Sequence, residues 1–154
     1  MKFERNRSLS AVVLEKDRNT QALLWREFLD SFYIENEDGR RALVADEPPL
    51  TKDAWDAVVA AGTAWLCRKS GIVTPLWTFG RARCAYPAWS CARDLRELRL
   101  LRLLAPPEFL ARNVLVSQTF MLRARTPQEW IDPEPLWSVT LAAKLLRTRA
   151  KSRT

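Results

Sequence analysis

The sequence contains no histidine. That removes the Ser-His-Asp triad, the Cys-His pair and every zinc site built with imidazole. Glycine is scarce too, with four residues at 39, 62, 71 and 80 in a chain of 154. No spacing among them forms a loop that could cradle a phosphate, and no GxSxG elbow is present. The three cysteines, Cys67, Cys84 and Cys91, are odd in number and widely separated. They fit neither a disulfide framework nor a CxxC metal site, and they read as reduced thiols of a cytoplasmic protein. No apolar run approaches the roughly 18–20 residues needed to span a bilayer, so no membrane association is expected. The uncharged stretch from Gly71 to Gly80 is short and interrupted by Thr74 and Pro75. The N-terminus lacks the apolar core of a signal peptide. Repeats and low-complexity segments are missing as well.

What remains is the composition of a folded domain: 47% hydrophobic and 28% charged residues. The length suits one domain with a sizeable core. The expected fold is mainly α, a single compact domain of five to seven helices over residues 9–149. It carries a loop-rich aromatic and proline segment and possibly one short strand pair. Residues 1–8 read as a disordered start and 150–154 as a basic tail. The net charge of +7 is uneven. Residues 1–50 carry −2, 51–80 carry +1, 81–125 carry +6 and 126–154 carry +2. An acidic front and a basic centre imply either an internal electrostatic match or two surfaces for two partners.

Helical periodicity runs from Leu9 to Ile34, with a break expected at Asn19-Thr20 and Thr20 as the cap of the second half. Residues 35–39 read as a polar turn and 40–46 as a short helix that stops before Pro48. Thr51 reads as the cap of a helix over 52–69, with Trp55, Val58, Val59, Gly62, Trp65 and Leu66 on its apolar face. Gly71 is placed to end it. Residues 72–90 show no helical period, and a short strand is possible near Leu76 to Phe79. Ser90 could cap a helix over 91–104, and Pro107 could open a short helix. Val114 to Met121 is compatible with strand or helix. Thr126-Pro127-Gln128-Glu129 reads as a helix start, and a last helix is expected over 136–149.

Within 91–104, Arg93, Arg96, Arg99 and Arg102 recur every third residue and form an oblique ridge. Leu95, Leu98, Leu101 and Leu104 recur at the same step. Such an arginine ridge serves as a solvated face, as a contact for an acidic protein, or as a phosphate-neutralising surface. Lys144, Arg147, Arg149, Lys151 and Arg153 extend the basic character. Seven tryptophans fall into two groups. Trp25, Trp55 and Trp65 sit at helical core positions. Trp77, Trp89, Trp130 and Trp137 lie beside prolines, where rings either lock loops to a core or form a binding surface. Asp53 with Asp56, and Asp94 with Glu97, stand three apart and could in principle gather around a metal. The commoner use of such pairs is at helix starts and on solvated faces.

The order of motifs resembles a group of small bacterial proteins of actinobacterial type. The resemblance is carried by Glu47-Pro48 before an alanine-rich helix, Pro75-Leu76-Trp77, Pro87-Ala88-Trp89, the arginine-leucine helix, Pro107 to Val116 and Leu122-Arg123-Ala124. It covers roughly residues 22–124. These proteins are associated with toxin–antitoxin-like or defence gene pairs, which implies a protein partner (a toxin or regulator encoded nearby). The resemblance brings no catalytic residues with it. In its most specific stretch, Phe109 would anchor a short helix, and Arg112 and Asn113 would tie its end to backbone carbonyls. The expected function is therefore a non-enzymatic protein-binding module, antitoxin-like or regulatory, that needs no cofactor. Its contacts would come from Arg93, Arg96, Arg99, Arg102, Trp77 and Trp89. The alternative is a nucleic-acid-binding regulator using Arg96, Arg99, Lys144, Arg147, Arg149 and Lys151.

Overall fold

A computed structural model describes residues 8–133 of the chain. Residues 1–7, the helix expected over 136–149, Trp137 and the basic tail lie outside the described residues. The described part is mainly α, with six α-helices and one two-residue parallel strand pair. In order they are α1 (Leu9–Leu14), α2 (Arg18–Ile34), α3 (Glu37–Ala45), α4 (Trp55–Ser70), β1 (Trp89–Ser90), α5 (Leu95–Leu104), α6 (Pro107–Leu110) and β2 (Val114–Leu115).

The fold is organised around α4. Every residue of α4 from Trp55 to Cys67 is buried. Its alanines and Gly62 leave room for neighbours to approach. A Cβ on Gly62 would stand 2.5 Å from the Cη2 edge of Trp25, so this position has to be glycine. Gly71 adopts a left-handed φ of 73° and closes the helix, as expected. Arg68 and Lys69 favour the negative end of the helix dipole. They reach onward to Glu108 and, at 2.7 Å, to Asp132.

The start of α4 departs from the sequence reading. Thr51 does not cap the helix; it is held by it. The buried Asp56 carboxylate accepts bonds from Thr51 N (3.0 Å), Lys52 N (2.9 Å) and Thr51 Oγ1 (2.8 Å). These bonds fix Lys52 in the left-handed region at φ 61°. Asp53 accepts from Trp55 N, and the helix begins there.

The first break also lies elsewhere. Ser8 belongs to the fold, because its side chain caps α1 at Ala11 N. Glu15 ends α1 and accepts from Lys16 N and Asp17 N. Asp17, not Thr20, caps α2. Its carboxylate takes both Thr20 N (2.8 Å) and Thr20 Oγ1 (2.7 Å), so the threonine becomes a donor inside the first turn. Likewise Asn36 caps α3 at Gly39 N, which draws Glu37 and Asp38 out of the expected turn into the helix.

Between Ile72 and Ser90 the chain makes 3₁₀ turns at Leu76–Phe79 and Arg81–Arg83. No strand forms at Leu76–Phe79. Pro75 sets φ at −61°, and its carbonyl takes both the N–H and the hydroxyl of Thr78, which curls the segment. The strand is β1, whose Trp89 pairs with Val114 of β2. Ser90 bonds Ala92 N, and Asp94 caps α5. Pro107 opens α6 as expected. Thr126 accepts from Arg123 N, and among the described residues a 3₁₀ turn, Gln128–Trp130, stands at the expected helix start.

The aromatic rings form two clusters, one around Trp25, Trp55, Trp89 and Phe120 and one around Tyr33, Trp65 and Trp130. Trp25 stacks on Phe28 at 5.6 Å and meets Trp55 edge-on at 6.2 Å. Trp55 and Trp89 are 6.0 Å apart, and each also touches Phe120. Tyr33, in the second cluster, donates its hydroxyl to Met121 O at 2.6 Å, next to Phe120 of the first. Burial pushes this phenol up to about 12 from its ordinary 10. Above pH 10 the unfolded chain therefore loses a proton that the folded chain keeps. Stability that is fully present below pH 10 should fall by about 1.4 kcal/mol per pH unit until the folded phenol titrates. Urea unfolding at successive alkaline pH values measures this slope. Tyr33→Phe should remove this contribution and leave the part due to the buried Cys67 thiol.

Candidate functional site

Arg93, Arg96, Arg99 and Arg102 are all exposed. None of them joins the ion pairs among the described residues. The leucine ridge of α5 is only partly buried: Leu101 is inside, Leu98 and Leu104 are half-buried and Leu95 is exposed, as is Leu103. One surface helix thus offers arginines and leucines together.

The carboxylates of this helix do structural work. Asp94 accepts from Glu97 N at 2.9 Å, and Glu97 reaches back to Arg93 N at 2.9 Å. Asp53 and Asp56 are tied to backbone N–H groups at the start of α4. All four acids named as a possible metal cluster hold their own helix starts. Among the described residues, no group of three or more Asp, Glu or Cys could hold a metal ion. The cysteines are free thiols. Cys67 is buried, and burial pushes its thiol up to about 11.

Trp77 and Trp89, named as contact residues, both pack against the core. Trp77 donates its indole N–H to Val44 O at 3.0 Å and lies under the Arg83 guanidinium at 5.1 Å. Trp89 is in β1 and faces Trp55 and Phe120. Each is half-buried and keeps only part of its ring at the surface. Trp130 is buried against Tyr33 and Trp65. Lys144, Arg147, Arg149 and Lys151 lie outside the described residues.

Four of the exposed apolar side chains lie near these tryptophans in the sequence. Val73 and Leu76 are each 87% exposed, Phe79 64% and Tyr86 81%. In a 3₁₀ turn, side chains three apart eclipse, so Leu76 and Phe79 share one face while Thr78 is buried. The sequence reading missed these residues because it followed the largest rings. The 73–76–79 spacing was the available signal.

Buried arginines hold this strip in place. Arg112, 6% exposed, donates Nε to Thr78 O (3.0 Å) and Nη1 to Glu108 O (2.8 Å). Its guanidinium also lies 5.6 Å from the Phe79 ring centre. Asn113, at φ 57°, donates to Ala85 O. Phe109 is fully buried beside Phe120. Arg83 is buried as well and bonds Glu47 and the Pro48 carbonyl.

The charge split is partly satisfied inside the fold. Arg83 meets Glu47, and Arg123 grips Asp30 with two 2.8 Å bonds. The Arg123 guanidinium holds the Asp30 carboxyl below its ordinary range. Residues 57–93 contain no acidic residue and five basic ones, of which Arg68, Lys69 and Arg83 pair with Glu108, Asp132 and Glu47 from other segments. No helix among the described residues is long and apolar enough to cross a membrane. No family model, curated protein or solved structure matches the chain.

Proposed function

We propose that this chain is a partner-binding protein whose docking surface is the apolar strip Val73, Leu76, Phe79 and Tyr86, with the arginine helix α5 as a second contact. The strip carries the reading. Four apolar side chains are each about two-thirds or more exposed, and the 3₁₀ turn that carries Leu76 and Phe79 is held by the Arg112 bond to Thr78 O. Apolar and aromatic groups on a rigid support are what protein interfaces bury at their centres. A charged rim adds association rate and selectivity.

The partner is a protein with an acidic, apolar-centred face. The four α5 arginines are exposed and would meet its carboxylates. The exposed Leu95 and Leu103 favour a protein over nucleic acid, since apolar side chains gain nothing beside phosphates. The finer reading, an antitoxin-like or regulatory member of a bacterial gene pair, rests on the motif resemblance alone.

The experiment is a calorimetric titration with the product of the adjacent gene. It compares the native chain with Leu76→Ser/Phe79→Ser and with Arg96→Glu/Arg99→Glu. Loss of affinity in the first variant supports the strip as the docking surface. Full affinity in both variants rejects the proposed surface, and a native chain that binds no such product rejects the gene-pair reading. A duplex DNA control, with binding that falls steeply as salt rises, would favour the nucleic-acid alternative instead.

A further inference from the structure

A second feature stands apart from the strip. A cavity of about 420 Å³ opens between the α1–α2 break and the start of α4. Its size lies within the roughly 300–1,000 Å³ usual for small-molecule sites. Trp55 and Trp89 form one wall, with ring centres 6.0 Å apart and steeply inclined. Phe120 packs against both rings, at 6.4 Å and 6.0 Å, so the wall is preformed. The floor is equally fixed, because Asp56 holds Thr51 and Lys52 in place beside it.

The rim carries two acids and two cations. The Glu15 carboxylate accepts from Lys16 N and Asp17 N, and the Asp53 carboxylate from Trp55 N. Lys16 and Arg18 are exposed and join none of the ion pairs among the described residues. Glu15 and Asp53 each turn one oxygen to backbone N–H groups, while Lys16 and Arg18 are free to reach a ligand's charge.

We infer that this cavity binds a small planar aromatic carboxylate, its ring against Trp55 and Trp89 and its charge toward Lys16 and Arg18. Ring-on-ring contact supplies the apolar part of recognition, with an edge-to-face geometry that suits a flat ligand. The charge-assisted contacts to Lys16 and Arg18 orient it.

The test uses 2-naphthoate as probe at pH 7, followed by ¹⁵N shifts of the indole N–H groups. The uncharged 2-naphthol serves as the comparator. The expected result is saturation that moves the Trp55 and Trp89 indole signals, with 2-naphthol binding roughly tenfold more weakly. Lys16→Glu/Arg18→Glu, both on exposed positions, should weaken 2-naphthoate by at least about tenfold. Leu76→Ser/Phe79→Ser should leave it unchanged, which separates this site from the docking strip. Equal binding of 2-naphthol, full affinity in the Lys16/Arg18 variant, unmoved indole signals, or no saturation at millimolar probe would each overturn the inference.

Discussion

Arg112→Met is expected to lower the free energy of unfolding by about 3 kcal/mol. The side chain is 6% exposed, and two of its nitrogens bond the carbonyls of Thr78 and Glu108, at 3.0 and 2.8 Å. Methionine fills much of the volume and bonds neither. Each carbonyl left without its partner costs about 1–3 kcal/mol where water cannot replace the lost donor. The residue is also the clamp between α6 and the turn that presents Leu76 and Phe79, so partner affinity should fall together with stability. Arg112→Lys should recover less than half of the loss. A single ammonium cannot reproduce the fork that spans two carbonyls on different elements. Chemical denaturation of the three proteins measures the difference. A Met variant as stable as the native chain would mean that the clamp is dispensable.

The second large effect is on binding. Leu76→Ser/Phe79→Ser is expected to weaken the partner complex by at least about a hundredfold, roughly 2.7 kcal/mol. Both side chains are mostly exposed, so truncation removes little packing beyond the Phe79 contact with Arg112, and stability should change by no more than about 1 kcal/mol. That contrast separates a docking surface from a structural one. Arg96→Glu/Arg99→Glu should act differently. Exposed rim charges chiefly alter the association rate and its salt dependence, so the slowed association should be most visible at low salt.

Much of the fold is legible in the residues. The central helix announces itself through Trp55, Val58, Val59, Gly62, Trp65 and Leu66, and Gly71 ends it because only a left-handed residue can close that turn without strain. Pro107 opens α6, and Arg112 and Asn113 tie its end to carbonyls as the motif suggests. The helix starts were harder to place. Thr20, Thr51 and Ser90 are all plausible caps by residue type. Asp17 and Asp94 cap α2 and α5 instead, and α4 starts without a side-chain cap while its Asp56 holds Thr51, because a carboxylate offers two oxygens and accepts more strongly than a hydroxyl. Asp17 takes two donors from Thr20, and Asp56 takes three from Thr51 and Lys52.

The surface was less legible, for a different reason. A tryptophan beside a proline looks the same in sequence whether it faces in or out. The outcome depends on whether a carbonyl such as that of Val44 waits for its indole N–H. With Trp77 turned inward, the short 3₁₀ turn has to present Leu76 and Phe79 outward. Arginine exposure was similarly undetermined by spacing. Arg83 and Arg112 are buried by specific carbonyl partners, whereas the α5 arginines lie on a helix that buries only Leu101.

The most direct measurement of partner docking is methyl and ring cross-saturation in the complex with the adjacent gene's product. Saturating the partner should attenuate the Val73 and Leu76 methyls and the Phe79 and Tyr86 rings. Leu23 and Ile34, exposed on α2, should keep full intensity. Attenuation confined to α2, with the 73–86 strip unaffected, would contradict the assignment of the docking surface.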